Sequence, residues 1–329
     1  MNVNIDALVE KIYKTVETHR LEEGVYARWI WKSDKQNRVL GKNEYGCADA
    51  ANILYSIGRF PQCPEKRAKW VEALRSLQDP QTGLFREATH HMIHTTAHCL
   101  AALELFDAQP TYPLTALEPY LDKERMIGLL EGLDWENSPW SQSHRGAGLY
   151  ASMVITRMVD LDWQNTYFKW LRDNCDPEIG MSMKHGPDTV CHHMCGWFHY
   201  LFNHNYAHRP IPYPEKLIDS CIKMYADNEM NAGFGEGIGF AEIDWIFCMN
   251  RASRQTAYRR EEVKDYLRKF AEGYFAWLNS IDVDTHEGFN DLHALFGTVC
   301  ALAELQLALP GEVLTTVPLK NVLDRRPFI

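Results

Sequence analysis

Two kinds of hydrophobic pattern alternate along the 329 residues. In the first kind, apolar side chains recur three and four positions apart and so fall on one stripe of a helix. Ile5, Leu8, Val9, Ile12, Tyr13 and Val16 form such a stripe, as do Trp70, Ala73, Leu74 and Leu77. The pattern returns with Met126, Leu129, Leu130 and Leu133, and again with Leu217, Ile218, Cys221, Ile222 and Tyr225. It closes with Val263, Leu267, Phe270, Ala271, Tyr274 and Leu278, and a weaker copy lies over 163–172. In the second kind the chain is apolar nearly all round, as in 147–159 and 292–309. A helix without a polar face is buried on every side or lies in a membrane.

The run 292–309 carries His293, Glu304 and Gln306 and is too short and polar for a membrane span, so burial is the expectation. About six one-faced helices alternating with about six all-round-buried ones predict an all-α (α/α)6 toroid of six helical hairpins. The buried set forms an inner ring, the amphipathic set an outer ring, and 1–329 is one domain. The connections agree. Asp79-Pro80-Gln81-Thr82-Gly83, Asp176 to Gly180 and Asp284 to Gly288 each follow an outer helix, with Asn228 to Gly233 a looser copy. Asp-Pro ends a helix, and a glycine a few residues on permits positive φ. No strand-period segment is long enough to build a sheet.

Each buried run opens on a polar cluster. The leading residues are Asp49, His94, His144, His192, Glu242 and Asp291, at steps of 45, 50, 48, 50 and 49 residues. A constant period of this size marks repeated supersecondary units. It predicts that the inner-helix N-termini share one face, whose free N–H groups favour polar or anionic ligands. An Asp at a helix start is most often a cap, but His is not a favoured cap. Asp49, Glu242, Asp244, Asp291, His144 and His192 are the candidate catalytic groups. Tyr45, His94, His98, Trp140, Arg145, His193, Trp197, Trp245 and His293 are the candidate substrate contacts, with Tyr150, Phe240 and Glu236 nearby. Glu242 and Asp244 have a second, less favoured reading as mutually repelling surface charges.

His94 and His98 lie four apart on one helix face, a spacing that suits two metal ligands or two neutral imidazoles in a polar cavity. No third ligand is identifiable from sequence, although His192, His193 or His293 could supply one across the ring; no cofactor is expected, with a metal on His94 and His98 as the alternative. Gly233 to Gly239 is glycine-rich but follows no strand, which fits a rim loop and not a dinucleotide fingerprint. The net charge of −10, without a basic track, argues against nucleic acid. Nine cysteines without framework spacing read as free thiols in a reducing compartment. The N-terminus lacks a basic start followed by an apolar block, so no signal peptide and a cytoplasmic location are expected. Nothing indicates the oligomeric state.

The Leu77-Gln78-Asp79-Pro80-Gln81-Thr82-Gly83-Leu84-Phe85 segment before a polar-headed apolar helix resembles two groups of toroids. One comprises carbohydrate-active enzymes such as unsaturated glucuronyl hydrolases, the other terpenoid cyclases and prenyltransferases. Arg145-Gly146-Ala147-Gly148-Leu149 matches the first group's Arg-Gly-Asn-Gly-Trp motif only in part. The second group's Asp-x-Asp-Asp run and Asp-x-Cys zinc pair are absent, since Asp291-Leu292-His293 stands in place of the pair. The resemblance implies a glycoside hydrolase or lyase acting on short acidic saccharides. A carboxylate pair would serve hydrolysis, and Tyr150 or His144 with Arg145 would serve elimination of a uronate. A terpenoid enzyme and a non-catalytic binding scaffold are the alternatives.

Overall fold

The computed structural model describes residues 2–33, 38–182 and 189–328, and these are predominantly α-helical. The odd-numbered helices are α1 (Asp6–Thr18), α3 (Pro64–Arg75), α5 (Lys123–Glu131), α7 (Leu161–Asp173), α9 (Pro214–Ala226) and α11 (Arg260–Ser280). Each buries one stripe, for example Leu217, Ile218, Cys221 and Ile222 in α9. The even-numbered helices are α2 (Glu44–Ser56), α4 (Met92–Leu105), α6 (Pro139–Ile155), α8 (Val190–Tyr206), α10 (Ala241–Ser253) and α12 (Leu292–Ala308). These are buried almost throughout, as the all-round apolar pattern requires.

Every even-numbered helix packs on the next, from α2 through α12, and α12 packs back on α2. The core therefore lies along this closed circuit of neighbours, against which odd-numbered helices such as α3, α9 and α11 pack. Among the described residues, strands occur only as two-residue β1 (Val3–Asn4) paired with β4 (Val313–Leu314), and β2 (Arg20–Glu22) with β3 (Val25–Tyr26). No described helix is long and apolar enough to cross a membrane.

Two of the anticipated turns form as read. The Asp79 carboxylate accepts from the backbone N–H groups of Gln81 and Thr82, and Gly83 takes φ +74°. A Cβ at Gly83 would stand 2.0 Å from the Pro113 carbonyl oxygen. Asp176 and Gly180, at φ +70°, repeat the arrangement. The third copy is anchored two residues earlier than expected, because Asp282 and not Asp284 takes the capping N–H. Gly288 is needed there for space, with Ile238 Cβ 2.4 Å from where its own Cβ would be.

After α12 the chain returns beneath the C-terminal ends of the even-numbered helices. Lys320 N–H bonds to Ser56 O, and Asn203 Nδ2 donates to Pro327 O at 2.8 Å. Arg326 and Phe328 are fully buried.

Candidate functional site

A cavity of about 650 Å³ opens where the first turns of α4, α6, α8, α10 and α12 meet. His94 comes from α4, Trp140, Ser141 and His144 from α6, and His192 and His199 from α8. Phe240 and Asp244 come from the start of α10, and Asp291, His293 and Ala294 from the start of α12. Loop residues Arg28, Thr89, His90, Asn137 and Ser138 complete the walls. The six polar clusters thus share one end of the helices but not one level. Asp291 is the N-cap of α12, accepting from His293 N–H at 3.0 Å, whereas Asp49 and His144 lie more than a turn inside their helices. Asn43 caps α2 instead, and α4 has a histidine cap after all, His91 Nδ1 accepting from Ile93 N–H.

Asp49 does not reach the cavity surface. It lies behind the wall, fully buried, between two imidazoles. His98 Nε2 is 2.6 Å from one carboxylate oxygen and His293 Nδ1 is 3.0 Å from the other. Both rings can donate only if Asp49 is ionised. Burial raises the Asp49 carboxyl above its ordinary value, opposed by His293, Arg28 and Arg326. With Nδ1 held by Asp49, Nε2 is the ring nitrogen left to His293, which lines the cavity. An imidazole whose tautomer is fixed by a carboxylate is the arrangement of a general base. Burial depresses His293 strongly, against the pull of Asp49, and keeps it neutral.

Burial lowers His144, His199 and His94 on the same wall as well. Burial and the neighbouring His199, His90 and Arg145 push His144 down to about 2, and burial brings His199 to about 4. His94, bonded through Nδ1 to the Tyr45 hydroxyl at 2.6 Å, is held well below its ordinary value by burial and by His144, His90 and His293. Its ring stacks on His90 at 4.8 Å and meets His144 edge-on at 4.8 Å.

Asp244 and Asp291, the two carboxylates on the cavity wall, are in opposite electrostatic states. Asp244 is 1% exposed, and the polar group beside its carboxyl is the Cys195 thiol, with no cation to offset its burial. Burial therefore raises its carboxyl well above the ordinary value, and it carries a proton. Burial would raise Asp291 too, but Arg28 outweighs it and holds the carboxyl below its ordinary value. Arg28 bonds both Asp291 oxygens, at 2.8 and 3.0 Å, and donates to Thr89 Oγ1 at 2.8 Å. All three guanidinium nitrogens are occupied, so Arg28 is a structural clamp.

Several candidates lie elsewhere. Glu242 is buried, not a surface charge, and accepts from Gly235 N–H at 3.1 Å, so it fastens the glycine-rich loop. Trp197 stacks near Tyr200, and Trp245 donates to Cys221 O, both as core. Arg145 bonds Gln142, Tyr150 bonds Gln164, and His193 bonds Ser182, none of them on the cavity wall. Glu236 is exposed on its loop, away from that wall. Sequence reasoning missed Arg28, Glu87, His90 and His199. His199 carried a usable signal, lying seven residues after His192 on the same face of α8, whereas His90 sits in the loop before α4.

Among the described residues, Asp49, His98 and His293 are the group whose ligand atoms fall within metal-binding range of one another. Ligands on a tetrahedral zinc ion stand about 3.3 Å apart. The 2.6 and 3.0 Å separations are those of hydrogen bonds, so the set is a bonded triad as it stands. The anticipated His94–His98 pairing does not form, because His94 turns to Tyr45 and His98 to Asp49. Comparison of the chain with protein-family models, curated proteins and solved structures returns no match.

Proposed function

We propose that this chain is a carbohydrate-active enzyme on an (α/α)6 toroid that cleaves short acidic saccharides by elimination. The toroid reading is supported by the closed circuit of contacts among the six buried helices. The observation that carries the chemistry is His293, bonded through Nδ1 to Asp49 and lining the cavity, which leaves Nε2 as its reactive nitrogen. In the reaction, Nε2 takes the proton from the carbon beside the uronate carboxyl. The electron pair left behind forms the C4=C5 double bond and expels the C4 oxygen, which takes the proton held by Asp244.

Neutral donors serve the substrate carboxylate, because Arg28 is occupied. Asn137, Ser138, Ser141 and the uncharged His144 lie on the wall for this purpose. A neutral imidazole polarises an oxyanion without competing for the reaction's proton. Trp140 and Phe240 offer faces for sugar stacking. The volume is in the range of small-molecule pockets and favours a short chain. The nine cysteines form no disulfide among the described residues, which suits a reducing, cytoplasmic setting.

A hydrolase is the second reading. It is favoured by Asp244 and Asp291 being driven to opposite protonation states, as an acid and a base would be. Elimination accounts better for the clamp on Asp291, whose two oxygens are already engaged by Arg28. The six histidines and two carboxylates on the wall favour a substrate with polar groups over an isoprenoid. The test is a panel of short uronate oligosaccharides, read by the absorbance of the conjugated double bond. Unsaturated product with the wild type and none with His293→Ala is expected. Saturated products that persist in His293→Ala would sink the elimination reading.

A further inference from the structure

The final turn of the described chain lies directly behind the histidine site, and its contacts are specific. Arg326 is fully buried and donates through Nη1 to the Asn52 side chain. Asn52 is one helical turn after Asp49 on α2, so the guanidinium sits one turn beneath that carboxylate. Its carbon also stands 5.2 Å from the Phe296 ring. Phe296 is one turn after His293 on α12, so the same cation underlies both members of the pair. The other two nitrogens, Nε and Nη2, have no protein hydrogen bond. A buried guanidinium left with two idle donors is costly, which favours a role as a charge over a role as packing. Two residues on, the Phe328 ring lies 4.9 Å from His94, edge to face, and 6.4 Å from His199.

We propose that residues 326–328 are a working part of the site, with Arg326 the positioning residue beneath Asp49 and Phe328 the floor beneath His94 and His199. Arg326 adds, from the side opposite the cavity, to the positive charge of Arg28 that favours an ionised Asp49 between the two imidazoles. Phe328 fixes the two histidine rings that face the cavity. In keeping with this, Arg326 is among the charges that oppose the effect of burial on Asp49. Burial itself lowers the Arg326 guanidinium to about 10, and Asp49 and Glu104 counter that. The titratable groups around Arg326 are Asp49 on α2, Cys99 and Glu104 on α4, and Cys300 on α12.

The catalytic consequence rests on His293 being the base, but the test needs no substrate. Histidine ring nitrogens and the Asp49 carboxyl are followed by NMR against pH in the full chain, for wild type, Arg326→Met and Arg326→Lys. Removing a facing charge shifts a carboxyl by about 1–3 units. Arg326→Met is therefore expected to raise Asp49 by at least one unit and to alter the His293 ring nitrogens, while Arg326→Lys restores both. An Asp49 titration unmoved in folded Arg326→Met overturns the proposal. Should that variant not fold, the wild type decides: the Arg326 Nε–H resonance must shift as Asp49 titrates, and a resonance indifferent to it is equally fatal. Phe328→Ala must move the His94 and His199 ring signals and leave His192 unchanged. No change at His94 and His199 removes the floor from the proposal. Unsaturated saccharide products failing to appear would refute the elimination reading and leave these titrations standing.

Discussion

Replacing Asp49 by Asn tests the dyad with almost no change of shape. The carboxylate accepts from two imidazoles, at 2.6 Å from His98 Nε2 and 3.0 Å from His293 Nδ1. An amide offers one acceptor and one donor, so the two imidazole N–H groups cannot both be satisfied. Leaving a buried donor unpaired costs about 1–3 kcal/mol. The less costly solution is a tautomer change at the looser contact, which is His293. The amide N–H then points at an unprotonated Nδ1, and the His293 proton moves to Nε2, the other ring nitrogen. A base with its proton on the wrong nitrogen loses roughly 10³- to 10⁴-fold in rate, as serine-protease triads show. That is about 4–5.5 kcal/mol of barrier. Stability should fall by no more than about 3 kcal/mol, because the flip removes the unpaired donor. Long-range proton–nitrogen NMR reads the tautomer directly. Wild-type His293 must be protonated at Nδ1, and the Asn variant at Nε2. A wild-type ring already protonated at Nε2, or one tautomer in both folded proteins, would refute the reasoning.

Three further outcomes follow from buried charge. His204 is fully buried with its folded value brought down to about 4 by burial, so between pH 6.5 and 4 only the unfolded chain binds its proton. Stability from this site falls as pH falls across that window, by about 3 kcal/mol in all, and urea unfolding of His204→Gln should lack that part of the slope. The folded Asp244 carboxyl is raised, so its cost to stability appears as pH rises above about 4. Asp244→Asn should accordingly gain on the wild type between pH 5 and pH 8 while losing turnover, and an equal gain at both pH values would argue against a buried proton. Arg251, 4% exposed, bonds both oxygens of Glu304 at 2.7 Å. Arg251→Met should cost about 3–5 kcal/mol in thermal or urea unfolding, because Glu304 is left buried and uncompensated.

The alternation of one-faced and all-round apolar helices was legible because burial on every side leaves no room for a polar stripe. The 48-residue rhythm of Asp49, His94, His144, His192, Glu242 and Asp291 located the correct end of the helices. It did not reveal depth. Asp49 and Glu242 have the same residue chemistry as Asp291 and Asp244, yet one lies behind the wall and the other faces its own loop. Depth depends on how far the helix start lies before each polar residue, and the caps decide that: Asn43, six residues before Asp49, for α2, and Asp291 itself for α12. Arg28 was invisible for another reason. Its partner Asp291 is 263 residues away, and only the return of α12 to α2 brings them together. The tail is the same case, since nothing in the local pattern of Arg326 and Phe328 marks a residue that ends inside the helix circuit.

Solvent hydrogen exchange at the carbon beside the uronate carboxyl tests the central claim most directly. Short uronate oligosaccharides would be incubated in deuterated buffer with the wild type, His293→Ala and Asp244→Asn, and followed by NMR. If His293 is the base and Asp244 the acid, Asp244→Asn exchanges this hydrogen without releasing unsaturated product, and His293→Ala does neither. A folded His293→Ala variant that still exchanges the hydrogen or eliminates would contradict the account.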